Sequence, residues 1–159
     1  CQSRTKRCSR RYGDLEPGHI LIGDNSEIKI SNFLSVKRTG LSKLDLTGLN
    51  IPSGINYETS GTPSTMSPEL WENEPLSPRS DIYSLGIMLY EMLTGELPFQ
   101  GQPMELFNKH QNQPVPTFSS DLNVPQALED VVKRSTEKRP ELRFASATEM
   151  QFALETVRV

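Results

Sequence analysis

The chain has 159 residues, 35% of them hydrophobic, with 17 Lys and Arg against 20 Asp and Glu. That size and balance suit one soluble domain and exclude a collagen, a coiled coil or a membrane-embedded protein. The net charge of −3 is uneven: Arg4, Lys6, Arg7, Arg10 and Arg11 put five positive charges in the first eleven residues, leaving 12 against 20 in the rest, a net −8. A body this acidic argues against nucleic acid as a partner, and the arm reads as a solvated basic flank.

Cys1 and Cys8 both lie in that flank, away from any candidate core, and read as free thiols of a reducing compartment, which points to a cytoplasmic location. No stretch approaches the length of a membrane helix, and no apolar run follows the N-terminal charges as in a signal peptide. From His19 to Ile30 the order His-Ile-Leu-Ile, a turn at Gly23-Asp24-Asn25-Ser26, then Glu-Ile-Lys-Ile predicts a β-hairpin. Residues Asn32 to about Ser64 are rich in Ser, Thr, Gly and Asn and predict a long exposed loop, of the kind that is usually functional or disordered. From Asp81 to Leu93, nine of thirteen residues are apolar or aromatic and surround the whole helical wheel, so this helix must be buried on nearly all sides. Ser80 or Asp81 is expected to cap its start, with Gly95 and then Pro98 stopping it. A weaker helix is expected around Met104 to His110, and another from Pro125 with Val124, Leu128, Val131 and Val132 on one stripe. The last is expected from Ser146, where Ser146 and Glu149 have capping-box spacing and Met150, Ala153, Leu154 and Val157 form the apolar face. These elements make a mainly α domain with a small hairpin and one long loop, and periodicity alone gives it no function.

Six short pieces, taken in order, carry more. Tyr12-Gly13-Asp14-Leu15-Glu16-Pro17-Gly18-His19-Ile20-Leu21 resembles the protein kinase catalytic loop H-R-D-L-K-P-x-N-I-L, and Lys29 to Leu34 stands where that family has its D-F-G segment. Gly61 to Glu69 is similar to the end of an activation segment, Asp81 to Gly86 to the start of the family's central helix, and Leu97 to Gly101 and Arg139 to Ala147 continue the series. From Tyr12 to Leu154 the chain resembles the C-terminal lobe of a bacterial-type serine/threonine protein kinase. The resemblance divides it into a basic flank (1–11), a catalytic loop and metal-segment hairpin (12–34), an activation segment (35–69) and a helical subdomain (70–157). It also implies that Glu69 pairs with Arg143 and that Asp81 accepts backbone hydrogen bonds from the catalytic loop. Both would place a charge in partial burial, where it needs a partner.

Phosphoryl transfer needs a group that orients the attacking hydroxyl, cations that neutralise the phosphate oxygens, and oxygen ligands that hold the metal. By resemblance, Asp14 stands where the base belongs. Glu16 replaces the lysine beside the transferred phosphate, so an attractive charge becomes a repelling one in a place where each 1.4 kcal/mol is tenfold in rate. His19 replaces a metal-holding asparagine, although imidazole suits hard Mg²⁺ poorly, and Asn32 replaces the metal-binding aspartate. Leu34 and Gly13 stand for a glycine and an arginine. Nothing has zinc spacing, and no metal is expected.

The family's N-terminal lobe, with its Gly-rich phosphate loop, strand lysine and helix glutamate, does not fit in eleven residues, and the first residue is not Met. The chain therefore reads as a piece of a longer protein or an eroded copy. The expected function is a kinase-like lobe impaired in phosphate chemistry that binds a protein partner or substrate through its activation segment and the surface near Met104 to His110, with no cofactor for this chain alone. The alternatives are a serine/threonine kinase using ATP and Mg, its N-terminal lobe outside the chain, and a remnant without function.

Overall fold

The computed structural model describes residues 12–31, 62–72 and 74–157. The basic flank with both cysteines, residues 32–61, on which the expected long loop, Asn32 and Leu34 fall, and Arg158 lie outside the described residues. The architecture is mainly helical, with one two-stranded hairpin. Strand β1 (Ile20–Ile22) runs antiparallel to β2 (Ile28–Ile30), with Leu21 opposite Lys29. The turn closes where the Ser26 N–H donates to the Gly23 carbonyl, within the expected Gly23 to Ser26 span. His19 belongs to a single 3-10 turn, Pro17–His19, and not to the strand; Pro17, whose fixed φ suits a helical turn, opens it.

Among the described residues five α-helices follow: α1 (Pro68–Trp71), α2 (Pro78–Thr94), α3 (Pro103–Asn112), α4 (Gln126–Ser135) and α5 (Ala147–Glu155). Helix α2 begins three residues earlier than Asp81. Its cap is Ser77, not Ser80 or Asp81: the Ser77 hydroxyl accepts from the Arg79 N–H at 3.2 Å, and the Ser80 hydroxyl accepts from the Ser77 N–H at 3.2 Å. Pro78 at the first helical position loses nothing, since its missing N–H would have had no partner there. Gly95 ends the helix in the left-handed region at φ 79°, its N–H donating to the Glu91 carbonyl at 2.7 Å.

The all-round apolar pattern of α2 has a direct cause, since three clusters meet on it. Tyr83 and Ile87 pack with Met66, Leu70, Trp71, Phe99 and Leu106. Ile82 faces Val131, Phe144 and Met150, and Met88 holds Tyr12 and Leu15 of the loop before β1. Helix α3, expected around Met104 to His110, sends Leu106 and His110 into the core, with His110 fully buried, and leaves Met104, Glu105 and Asn108 exposed. Helix α5 is capped by Ser146, whose hydroxyl accepts from the Glu149 N–H, but the Glu149 carboxylate reaches back to the Ala145 N–H and so closes the box one residue early.

Gly86 sets how closely α2 and α4 approach. A Cβ there would lie 2.6 Å from the Ser135 Cβ and 2.8 Å from the Thr136 Cγ2. Gly86→Ala is therefore expected to destabilise by roughly 1–3 kcal/mol, although alanine in an open helix would stabilise by about 0.5–1. Urea unfolding checks it, and an unchanged or higher midpoint would show that the two helices can part without cost.

Candidate functional site

The loop from Tyr12 to His19 is anchored by two buried side chains, Tyr12 and Leu15, and by one carboxylate. Asp81, in the first turn of α2, accepts the Tyr12 N–H at 2.9 Å and the Gly13 N–H at 2.7 Å, one on each oxygen. Burial pushes the Asp81 carboxyl up, while the two backbone N–H groups pull it down, and burial wins. Gly13 holds φ 79°, a left-handed turn that favours glycine, and a Cβ there would come within 2.8 Å of the Leu76 Cδ1, which would have to turn aside.

Between these anchors the candidate residues form one network with the end of the 62–72 segment. The Thr62 N–H donates to Asp14 Oδ1 at 3.1 Å, and the Thr62 hydroxyl donates to Glu16 Oε2. Glu16 Oε1 lies 3.1 Å from His19 Nε2, and His19 Nδ1 lies 2.8 Å from the Asp14 carbonyl, so both ring nitrogens face acceptors. The His19 carbonyl in turn accepts the Ser31 N–H and hydroxyl, which ties the loop to the end of β2. Asp14, Glu16 and His19 are thus brought together, and Asn32 lies outside the described residues. Thr62 was no sequence candidate. It sits within the Gly61-Thr62-Pro63 piece, but its partners are 46 and 48 residues away.

Glu69 and Arg143 meet deep in the fold. Arg143 Nη1 and Nη2 donate to the two Glu69 oxygens at 2.7 and 2.9 Å, with both side chains essentially inaccessible to water. The other three N–H groups of the guanidinium go to the carbonyls of Glu137, Arg79 and Lys138, so all five donors are used. The Arg143 guanidinium also lies 4.9 Å from the Tyr83 ring centroid. Burial pushes the Glu69 carboxyl up, but the bonds and charge of Arg143, helped by its own backbone and the Ser80 hydroxyl, hold it below the ordinary value.

Residues 8–153 match the model of the protein kinase domain. The chain belongs to the protein kinase family. Among similar proteins, the serine/threonine-protein kinase PknL of Mycobacterium tuberculosis is 31% identical over 148 residues, covering 92% of this chain and 35% of PknL. The serine/threonine-protein kinase PknB of Mycolicibacterium smegmatis is 35% identical over 143 residues, covering 88% of this chain and 22% of PknB. The chain thus spans between about a fifth and a third of the length of such curated relatives.

The Glu16 carboxylate is taken up by Thr62 and His19, and His19 stands at the position where the resemblance implies a metal-holding asparagine. Among the described residues no three His, Cys, Asp or Glu side chains gather as a metal site. Among the described residues, too, no helix is long and apolar enough to cross a membrane.

Proposed function

We propose that this protein kinase-family chain works as a binding or scaffold module for a protein partner, with its phosphate chemistry impaired, in the cytoplasm. What supports the reading is the Glu16 carboxylate, in contact with Thr62 and His19, at the position where the resemblance puts the family's lysine beside the transferred phosphate. A negative group there repels the phosphate oxygens. The partner-binding surface in this reading is the activation segment at 35–69.

A second reading is a slow serine/threonine kinase that uses ATP and Mg²⁺ with an N-terminal lobe outside this chain. What favours it is Asp14, which is present at the position of the base with one carboxylate oxygen turned to the Thr62 N–H, together with the names of the relatives. Phosphoryl transfer to a protein substrate, measured on the full-length protein, separates the two. The module reading expects no transfer above background and no heat on titrating Mg-ATP. Turnover in the ordinary kinase range of about 1–100 s⁻¹ would overturn it. Slow transfer that Asp14→Asn abolishes would establish the second reading.

A further inference from the structure

Lys138 differs from the other lysines of the described residues. Lys29 pairs with Glu27 at 3.1 Å, Lys133 with Glu129 at 2.9 Å, and Lys109 donates to the Gln100 carbonyl at 2.6 Å. Lys138 makes no ion pair within the described residues. Its amine reaches only the Tyr83 hydroxyl and the Lys109 carbonyl, each at 3.5 Å, and lies 5.0 and 5.6 Å from the ring centroids of Phe99 and Tyr83. Beside it opens a cavity of about 410 Å³, lined by Asn112, Val115, Thr117, Thr136 and Lys138, a volume in the range of small-ligand sites. Lys133 and Glu137 line the same cavity and bring one further positive and one negative charge to it.

We propose that Lys138 is a site of Nε-acylation, its amine taking the acyl group of a small activated donor, an acyl phosphate or an acyl thioester, that enters this cavity. The neutral amine attacks the carbonyl carbon, a C–N bond forms, and the C–O bond to phosphate or the C–S bond to the thiol breaks. The phosphate or thiolate leaves with the electron pair, and the amine gives one proton to solvent. Nothing is oxidised or reduced. The product is a neutral amide, which removes a charge from between two aromatic rings.

Two features favour this chemistry at Lys138 over its neighbours. No carboxylate among the described residues stands within ion-pairing distance of its amine. Burial, and then the Arg143 guanidinium, push that amine down to about 8 from the ordinary 10.5, with Glu137 opposing. At pH 7.5 a far larger fraction is therefore the nucleophilic free base than at an exposed lysine. The charged or titratable groups around it are Arg143 and Glu137 in its own segment, Tyr83 on α2, His110 on α3, and Lys133 on α4 across the cavity. The reading does not depend on whether the protein transfers phosphate.

The test treats the full-length protein, folded at pH 7.5, with acetyl phosphate in one arm and acetyl-coenzyme A in the other, and follows each lysine by peptide mass spectrometry. Lys138 should acetylate at least about tenfold faster than Lys29, which is the more open to reagent, in one or both arms. The Lys138 rate should level off near pH 8 to 9, while that of Lys29 keeps rising, and the selectivity should vanish in concentrated urea. Equal or slower labelling of Lys138 in both arms would overturn the proposal, and so would selectivity that survives in urea.

Discussion

Arg143→Ala is expected to cost roughly 3–5 kcal/mol, because it leaves the Glu69 carboxylate buried with its main counter-charge gone. It also strips donors from three backbone carbonyls, of Glu137, Arg79 and Lys138, that the guanidinium alone brings together. The surface pair Arg139–Glu141 is the control. Its side chains are 71% and 52% exposed, so Arg139→Ala should cost about 0–1 kcal/mol. Against a typical domain stability of about 5–15 kcal/mol, the first loss could unfold the lobe and the second could not. Urea unfolding of both variants, with Glu69→Ala and the double variant to close the cycle, measures the coupling. Equal small effects at positions 139 and 143 would mean that the buried pair contributes no more than a surface one.

The same pair shows where the sequence was informative and where it was not. Glu69 and Arg143 are 74 residues apart, and no period of 2 or 3.6 links them. Only the resemblance set them side by side, just as it set Asp81 against the catalytic loop. The α2 pattern, by contrast, was legible from residues alone, since a helix that serves three clusters must be apolar on every face. Its true start was not, because Ser77 and Pro78 follow Pro75 and read as loop until the reciprocal Ser77–Ser80 bonds are seen. Helix α3 was legible as a helix, but the burial of its last turn was not. His110 is a polar letter on a helix of low apolar content, and its burial depends on Tyr83, Trp71 and Phe99, which chain order does not place near it. Within the candidate site, the Glu16–His19 contact is local, three residues apart, whereas the Thr62 link that completes the network is a tertiary fact.

His110 leads to the second large effect, a loss of stability in mild acid. Its Nδ1 lies 2.9 Å from the Tyr83 hydroxyl, and Lys138 reaches that same hydroxyl, so the tyrosine proton is directed at the imidazole. Burial, and then the charge of Lys138, push the His110 imidazole down to about 3, while the backbone at Ser64 and Pro63 pulls weakly the other way. In the unfolded chain the same ring takes up a proton near pH 6.5, so between pH 6.5 and about 3 the unfolded state binds more protons than the folded one. Stability is then fully present above pH 6.5 and falls by about 1.4 kcal/mol for each pH unit below it. Glu69 adds to the fall only below about pH 4.5, because a carboxyl held below its ordinary 4.5 keeps its contribution above that value and loses it as the pH drops further. Asp81, whose carboxyl is pushed up, works in the opposite direction and offsets part of the loss. Urea midpoints at pH 7, 5.5 and 4.5 should therefore decline steeply, by roughly 2–3 kcal/mol in total between the first and last. His110→Gln, which cannot take up the proton, should start less stable at pH 7 but show a much flatter decline to pH 4.5. The same slope in both proteins would place the acid sensitivity elsewhere than in the buried imidazole.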